Sequence, residues 1–367
     1  MDEYLYKLKE IADYHLEAFM TVGHAPKGCN GPYKNNDTPI RNTAHWAVTY
    51  AGLYKLFDEK KYTDVVELFA DYLLDSKNYG IGGAAICRRD STDDTNGVVG
   101  QAWVIEGLLA CYDITQNEKL LDRAISVFDS QELIEETGLW KIHCSDGRNA
   151  GYDYVYNHNL WFAAAGSQIL SRKDIPSIRG KVTIFLDYSK DTYGVQPSGC
   201  LYHLINSNVS FVGNIKFGVK KALTDFNVAK FRNMNYLEKG YHLFDLYGFA
   251  LLKKQFSNHP ELNSAKLKKA IAYGNEEQFL NDLGAVGKPL NQYSYPYNSP
   301  AFEYPYVSSV LGEGCNEKIA ERMLEIQFAE LFDKERMMFS NKNEDPETLT
   351  ARVYELLRYF SERTIKA

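Results

Sequence analysis

Apolar side chains recur with helical spacing along most of the chain. In residues 3–20, for example, they return every three or four positions on one side, which is the spacing of an amphipathic helix. Loops rich in Gly, Pro and Asn separate this segment from others of the same kind. Helices are predicted over residues 3–20, 42–57, 62–76, 97–113, 117–132, 156–170, 176–188, 239–254, 262–282, 301–312, 316–333 and 347–363.

The predicted helices are of two kinds, and the two kinds alternate. Segment 97–113 is apolar on all sides, whereas segment 117–132 carries charge on one side. Trp46, Trp103 and Trp161 mark three of the apolar helices at intervals of 57 and 58 residues, and a fixed period in this range indicates a repeat architecture. A helix that is apolar all round is buried, and an amphipathic helix is half-buried.

An inner ring of apolar helices wrapped by an outer ring of amphipathic helices gives each kind of helix the burial that it needs. The sequence therefore predicts an all-α fold, an (α/α)6 toroid of six helical hairpins that forms a single domain over residues 1–367. An open solenoid of hairpins is the alternative, but no polar capping repeat is evident. Residues 189–238 interrupt the pattern with Gly, Pro, Asn and β-branched residues, which favours a small β or loop insertion with strand or lid character.

In a closed ring, the loops that lead into the inner helices all lie on one face. The N-termini of those helices direct partial positive charge at the same face. One cleft is expected there, which collects Arg41, Asn42, His45, Arg88, Arg89, Asp90, Asp93, Asp94, Asn96, Asp153, Tyr156, Asn157, His158, Tyr241, His242, Asp245, Tyr295, Tyr297, Glu303 and Tyr304.

Composition narrows the choice of ligand. The net charge is −7 and no dense run of Lys or Arg is present, which argues against a nucleic-acid partner. The 27 Tyr residues supply flat apolar faces with a hydroxyl group, which suits stacking on sugar rings. No ligands have the paired spacing of a metal site, and no glycine loop would cradle a phosphate. Neither a metal nor a cofactor is expected.

The sequence also bears on location. The first residues lack the charged and apolar regions of a signal peptide, and no run approaches the roughly 18 apolar residues of a membrane span. The six Cys residues are scattered, without a Cys-x-x-Cys pair, which is typical of free thiols in a reducing compartment. We therefore expect a cytoplasmic protein without a membrane span.

The sixfold helix pairing and three short segments resemble the six-hairpin glycosidase superfamily and its relatives. Residues 96–103 (Asn-Gly-Val-Val-Gly-Gln-Ala-Trp) are similar to the Gly-Gln-Ala-Trp segment of unsaturated glucuronyl hydrolases, although they lie earlier in the chain. Residues 156–161 (Tyr-Asn-His-Asn-Leu-Trp) resemble the Asn-His segment of toroidal polysaccharide lyases of the alginate type. N-acylglucosamine 2-epimerase-like proteins share the toroid, and residues 300–305 (Pro-Ala-Phe-Glu-Tyr-Pro) would suit a loop of such a site.

The resemblance to the lyases implies roles in an elimination reaction. Asn157 would neutralise a uronate carboxylate, and His158 would serve as the base. Tyr202 could be the acid that such a reaction needs, with its neighbour His203 as a further candidate. Tyr156 stands where those lyases have a second Asn, and no counterpart of the arginine that accompanies the lyase tyrosine is evident. The alternative role for His158 is that of a structural histidine.

Hydrolysis of a glycosidic bond needs two carboxyl groups. One protonates the leaving oxygen, and the other attacks or activates water. The candidates are Asp93, Asp94, Asp146, Asp153 and Glu303. The preferred pair is one of the adjacent Asp93 and Asp94 together with Asp153 or Glu303, and the alternative for Asp146 is a turn. The alternative for Asp93 and Asp94 is capping of the helix that follows them.

Candidate sugar contacts are the aromatic and polar residues near the helix starts and in the insertion. They are His45, Trp103, Tyr156, Asn157, Trp161, Tyr202, His242 and Tyr297, and packing inside the ring is the alternative for the tryptophans.

The preferred functional hypothesis is a glycoside hydrolase that acts on an acidic, uronate-containing oligosaccharide. One alternative is a polysaccharide lyase or sugar epimerase that uses Asn157, His158 and a tyrosine. A second alternative is a non-catalytic glycan-binding protein of a polysaccharide biosynthesis pathway. An oligosaccharide or polysaccharide is the expected partner in each case, and the oligomeric state is left open.

Overall fold

The computed structural model describes residues 1–89, 91–205, 228–312 and 314–366, without the side chains of 228–234 and 364–366. The helices are α1 (Asp2–Val22), α2 (Ile40–Phe57), α3 (Lys60–Leu74), α4 (Gly97–Thr115), α5 (Glu118–Asp129), α6 (Tyr156–Leu170), α7 (Pro176–Thr192), α8 (Val228–Gln255), α9 (Ala265–Tyr273), α10 (Glu277–Leu283), α11 (Pro300–Leu311), α12 (Glu317–Leu331), α13 (Pro346–Ala351) and α14 (Tyr354–Lys366).

Helices α2, α4, α6, α8, α11 and α14 form a closed inner ring. Each packs against the next in this order, and α14 packs back onto α2. The outer layer is formed by α1, α3, α5, α7, α12 and the short pair α9 and α10. The predicted (α/α)6 toroid of six helical hairpins is therefore confirmed.

The burial of side chains explains the two layers. Every residue of α4 from Gly97 to Cys111 is buried, whereas α5 buries one stripe that includes Leu120, Ala124 and Phe128. At Gly107 a Cβ atom would lie 2.5 Å from the Cα atom of Ala44. Glycine is therefore needed where α4 approaches α2 most closely.

Two predicted helices are broken in the structure. The segment predicted over 262–282 forms α9 and α10, which are separated at Gly274 and Asn275. The segment predicted over 347–363 forms α13 and α14, and Arg352 lies between them.

A small antiparallel sheet precedes α6. Its strands are β1 (Leu133–Ile134), β2 (Leu139–His143) and β3 (Asn149–Tyr152), in the order β1-β2-β3. Leu133 pairs with Trp140, and Lys141 pairs with Tyr152. The Trp140 backbone N–H donates to the Asn159 side chain at 3.0 Å, which fixes the sheet to the first turn of α6.

The insertion predicted over 189–238 is narrower than expected. Helix α7 continues to Thr192 and α8 begins at Val228, because helical structure extends into both flanks. Its described part, up to residue 205, contributes isolated bridges from Val195 to Leu201 and from Val155 to Leu204. The rest of the predicted strand or lid region, 206–227, lies outside the described residues, as does Asp90.

The thiols match the expectation from the sequence, since Cys29, Cys87, Cys111, Cys144, Cys200 and Cys315 are all free. Within the described helices, none combines the length and the apolar character needed to cross a bilayer.

Candidate active site

A cavity of about 370 Å³ lies at the end of the ring where the inner helices begin. Loops and first helical turns from around the ring contribute its wall. The lining residues are Asn30, Tyr33, Asn35, Arg88, Asn96, Val99, Trp103, Val155, Asn157, His158, His203, Tyr241, Phe244, Tyr297, Asn298 and Arg352. Among these described residues no side chain is a carboxylate.

Asp153 holds His158 in one orientation. The side chain of Asp153 is 3% exposed, and its Oδ2 atom lies 2.8 Å from His158 Nδ1. The backbone N–H groups of Val98 and Val155 also donate to this carboxylate, both at 3.1 Å. Because an ionised carboxylate only accepts hydrogen bonds, the contact places the His158 proton on Nδ1. Nε2 then carries a lone pair and can act as a base.

Gly97 makes room for this pair at the start of α4. It has a φ of 56°, and a Cβ atom there would lie 2.4 Å from Asp153 Oδ2 and 2.6 Å from His158 Nδ1. Gly97 therefore lets the Asp153 carboxylate reach the Val98 backbone N–H at the start of α4, where the helix dipole favours negative charge.

His203 is held by a neutral group instead. Asn157 Nδ2 lies 3.3 Å from His203 Nδ1, and donation from this amide leaves the His203 proton on Nε2. Burial, followed by the neighbouring His158, lowers the pKa of His203 to about 3. His203 is therefore a neutral N–H donor at physiological pH. The Tyr156 backbone N–H donates to the His203 carbonyl at 3.1 Å, which ties this segment to the start of α6.

Tyrosine hydroxyl groups form a second part of the wall. The hydroxyls of Tyr33 and Tyr241 lie 2.9 Å apart, and Tyr297 donates to the Asn30 side chain at 2.8 Å. Burial raises the pKa of both Tyr33 and Tyr241. These phenols stay protonated, so they offer neutral hydrogen-bonding groups of the kind that bind sugar hydroxyls.

The floor of the cavity contains a buried charge network. Arg352 donates to Glu303 at 2.6 Å and to Glu355 at 2.7 Å. Glu303 is fully buried, and burial raises its pKa well above the usual value, against the attraction of Arg352. This contact turns Glu303 toward Arg352. Glu303 does not line the cavity, contrary to the role predicted for it as one of a pair of hydrolytic acids.

Five of the predicted site residues come together at the cavity. Asn157, His158, Trp103 and Tyr297 line it, and Asp153 lies directly behind His158. Their catalytic and binding roles remain proposals.

Asp94 does not line the cavity, and its role as a catalytic acid stays a prediction. Its carboxylate accepts hydrogen bonds from the Ser145 backbone N–H at 3.0 Å and from the Ser145 hydroxyl. Asp94 therefore fastens the loop after β2 to the loop before α4. The neighbouring Asp93 accepts from the Gly97 backbone N–H at 2.7 Å, which is the capping role considered for it.

Tyr156 and Trp161 are packing residues in the structure, because the ring interior buries both. The Tyr156 hydroxyl lies 3.4 Å from Ser189 Oγ on α7. Trp161 donates to the Phe244 carbonyl at 3.1 Å and stacks on the Phe244 ring. Neither lines the cavity.

His242 and His45 are also fully buried away from the cavity wall. His242 accepts from the Leu201 backbone N–H at 3.3 Å and contacts the Ala270 carbonyl at 3.0 Å. His45 stacks on Tyr354 with ring centres 4.8 Å apart.

Tyr202 is half-buried and packs against Gly194, so it does not line the cavity either. The adjacent His203, which the sequence offered only as a further candidate for the acid, does line it.

The sequence reasoning missed several lining residues, among them Asn30, Tyr33 and Arg352. Asn30 and Tyr33 belong to the long loop before α2, where the Asn-Gly-Pro-Tyr run was a signal for an ordered turn. Arg352 falls inside what was predicted as one continuous helix. Within the described residues, no group of three or more His, Cys, Asp or Glu side chains is placed to hold a metal ion.

The fold is the (α/α)6 toroid that an unsaturated glucuronyl hydrolase and a cellobiose 2-epimerase also have. An unsaturated glucuronyl hydrolase specific for heparin superposes with a TM-score of 0.62 at 12% identity, over 100% of this chain and 99% of that one. Cellobiose 2-epimerase from Bacillus thermoamylovorans gives a TM-score of 0.64 at 12% identity, over 99% and 100% of the two chains.

In sequence, the chain is similar to archaeal glycosylation protein Q of Haloferax volcanii. The two are 28% identical over 362 residues, which covers 96% of each chain. No family model matches the chain.

Proposed function

We propose that the protein is a carbohydrate-active enzyme that isomerises or epimerises a sugar through an enediolate. The observation that carries this proposal is the pair of histidines with opposite protonation at one cavity. His158 presents an unprotonated nitrogen because Asp153 holds its Nδ1–H. His203 presents an N–H because Asn157 donates to its Nδ1.

The chemistry starts at a carbon next to a sugar carbonyl or carboxylate. His158 Nε2 takes the proton from that carbon, and the C–H electron pair moves toward the neighbouring oxygen to form an enediolate. The Nε2–H group of His203 donates a hydrogen bond to that oxygen, where negative charge develops. A neutral histidine suits this role because it polarises the oxygen without giving up its own proton. Return of the proton to the former carbonyl carbon, with the neighbouring hydroxyl proton passing to the enediolate oxygen, gives the aldose–ketose isomer, and its return to the opposite face of the original carbon gives the epimer.

A glycoside hydrolase is a weaker proposal for this cavity. Both hydrolytic mechanisms require two carboxyl groups that flank the scissile bond. Among the acids predicted from the sequence, Asp94 binds Ser145 and Glu303 binds Arg352. Asp153 is occupied by His158 and two backbone N–H groups. Proton transfer by histidine uses the groups that the described cavity does present.

The comparisons support a sugar as the substrate. Cellobiose 2-epimerase acts on a sugar and has the same fold, and the relative in Haloferax volcanii is a glycosylation protein. We therefore place the reaction in the preparation of a sugar for glycan assembly. A cytoplasmic location stays a prediction from the sequence.

The test is proton exchange with solvent. The protein is incubated in D2O with a panel of hexoses and hexuronic acids, and the sugars are analysed by NMR and mass spectrometry. At least one sugar should gain deuterium at the carbon next to its carbonyl or carboxylate, together with appearance of an isomer. His158→Gln should abolish both signals and leave the melting temperature nearly unchanged.

His143→Gln is the matched control. This histidine lies half-buried on β2 and contacts Glu132 at 3.4 Å, so its loss should leave exchange intact. A product with the ultraviolet absorbance of a conjugated uronate would instead identify a lyase. Release of a reducing end without deuterium in the sugar would identify a hydrolase, and either result would overturn the proposal.

A further inference from the structure

Arg88 differs from Arg352 in how its charge is satisfied. Arg352 is matched by two carboxylates, those of Glu303 and Glu355. Arg88 also lines the cavity, but its Nε atom lies 3.5 Å from Asp37 Oδ1 without the geometry of a hydrogen bond. Its terminal nitrogens make no hydrogen bond within the part of the chain that the structure describes. The guanidinium therefore has unused donors at the cavity.

Asp37 does not cancel the charge of Arg88. The same carboxylate lies 3.8 Å from the Arg41 guanidinium, so two cations share one anion. Burial raises the pKa of Asp37, against the attraction of Arg41 and Arg88. Because no carboxylate lines the described cavity, the Arg88 guanidinium is a cation of the wall that the protein matches only in part.

The backbone holds Arg88 in place. Its N–H donates to the Asp94 carbonyl at 2.9 Å, and the Thr38 N–H donates to the Cys87 carbonyl at 2.8 Å. A bridge pairs Arg88 with Asp37, and the Arg88 side chain is only 13% exposed. A cation held this firmly loses little conformational freedom when it binds an anion.

We propose that Arg88 binds the carboxylate of the substrate and thereby selects sugar acids over neutral sugars. This inference rests on the proposed function only in taking a sugar as the ligand of this cavity. A guanidinium offers two parallel N–H donors that match the two oxygens of a carboxylate, and a neutral hexose has no group that would use the charge.

The experiment measures binding by calorimetry and needs no turnover. The probes are D-glucuronate, D-galacturonate and D-mannuronate, each compared with the neutral hexose of the same configuration. The wild-type protein should bind at least one uronate roughly tenfold or more tightly than its hexose. Arg88→Gln should weaken the binding of that uronate by roughly 10- to 100-fold, which is the range for a lost charged hydrogen bond. It should leave the affinity for the hexose unchanged.

Arg89→Gln is the matched control, because Arg89 is the next residue and is exposed. It should keep the wild-type preference. Arg88→Lys keeps the positive charge without the paired N–H donors, so its preference for the uronate should be intermediate. This variant also tests the inference if Arg88→Gln does not fold.

An unchanged preference in the Arg88 variants, or no preference for any uronate in the wild type, would overturn the inference. The two proposals can fail separately. If uronate binding depends on Arg88 but no sugar exchanges deuterium, the isomerase proposal fails and the role of Arg88 stands. Deuterium exchange on neutral sugars alone would keep the isomerase and remove this role of Arg88.

Discussion

The two ends of the ring contain polar cavities that differ in how their charges are paired. At the end where the inner helices finish, a cavity of about 280 Å³ is lined by Glu106, Asp113, Arg172, Lys254, Arg358 and Glu362, among others. Glu106 accepts from Arg358 at 2.8 Å, and Asp113 pairs with Arg172 at 2.7 Å. The charged side chains at this end form ion pairs with one another.

The end where the inner helices begin leaves groups without protein partners. Neither His158 Nε2 nor the terminal nitrogens of Arg88 form a hydrogen bond within the described residues, although both side chains line the cavity. These groups face the open cavity, where a ligand can take up their free hydrogen-bonding positions. We infer that the end with paired charges contributes to stability and that the end with unpaired groups carries out the chemistry.

Asp153→Asn should have the largest effect, and it should fall on chemistry. An amide can donate to His158 Nδ1 and so favour the tautomer whose proton faces the cavity. We expect kcat to fall by roughly 10²- to 10⁴-fold, the range for losing a general base, with little change in KM. Steady-state kinetics checks this, and an Asp153→Asn enzyme with normal kcat would show that the carboxylate does not orient the base.

Glu106→Ala should affect stability instead. It leaves Arg358 partly buried without its carboxylate, and breaking a buried pair in this way costs about 3–5 kcal/mol. Denaturant unfolding should show this loss, while kcat of the folded protein stays normal. Glu362→Gln is the control at the same end, because its pair with Lys254 is more exposed and is worth about 0–1 kcal/mol. Equal losses in the two variants would contradict the assignment.

Acid should destabilise the protein through its buried histidines. Burial lowers the pKa of His242 to about 4, so the unfolded chain binds a proton below pH 6.5 that the folded chain refuses. Stability is therefore complete above pH 6.5 and falls between pH 6.5 and 4, by up to about 1.4 kcal/mol per pH unit for this group. The melting temperature as a function of pH measures the slope, which should be shallower in His242→Gln.

Asp94→Ala should have the smallest effect. It removes the hydrogen bonds to Ser145, each worth about 0.5–1.5 kcal/mol, and keeps the backbone carbonyl that accepts from the Arg88 N–H. A small drop in melting temperature with normal turnover is expected. Loss of turnover at full stability would return Asp94 to the mechanism.

The ring was predictable because its information is local. A helix that is apolar on all sides has to be buried, so the alternation of two helix kinds led to two layers. The breaks at Gly274 and Arg352 were not predictable in this way, since the apolar spacing continues across both. The sheet before α6 was missed because β1 has two residues and β3 has four, too few for a clear alternation.

Part of the site was predictable. Asp153, Asn157 and His158 lie within six residues of one another and were proposed from that stretch. Arg88 was expected in the cleft from the order of the helices along the ring, whereas no local pattern assigned Tyr33 to it. Trp46 and Trp103 have the same place in the repeat, yet Trp46 packs on Phe19 of the outer layer while Trp103 lines the cavity. The repeat period of the tryptophans predicts where each inner helix lies, but it does not predict the direction in which each side chain points.

The protonation of the two histidine rings tests the central claim most directly, because it requires no knowledge of the substrate. Protein with ¹⁵N-labelled histidine can be examined by long-range ¹H–¹⁵N NMR at neutral pH, with His158→Gln and His203→Gln used to assign the signals. The structure predicts that His158 carries its proton on Nδ1 and that His203 carries its proton on Nε2. The same tautomer in both rings, or a doubly protonated His203, would contradict a base and a neutral donor facing one cavity.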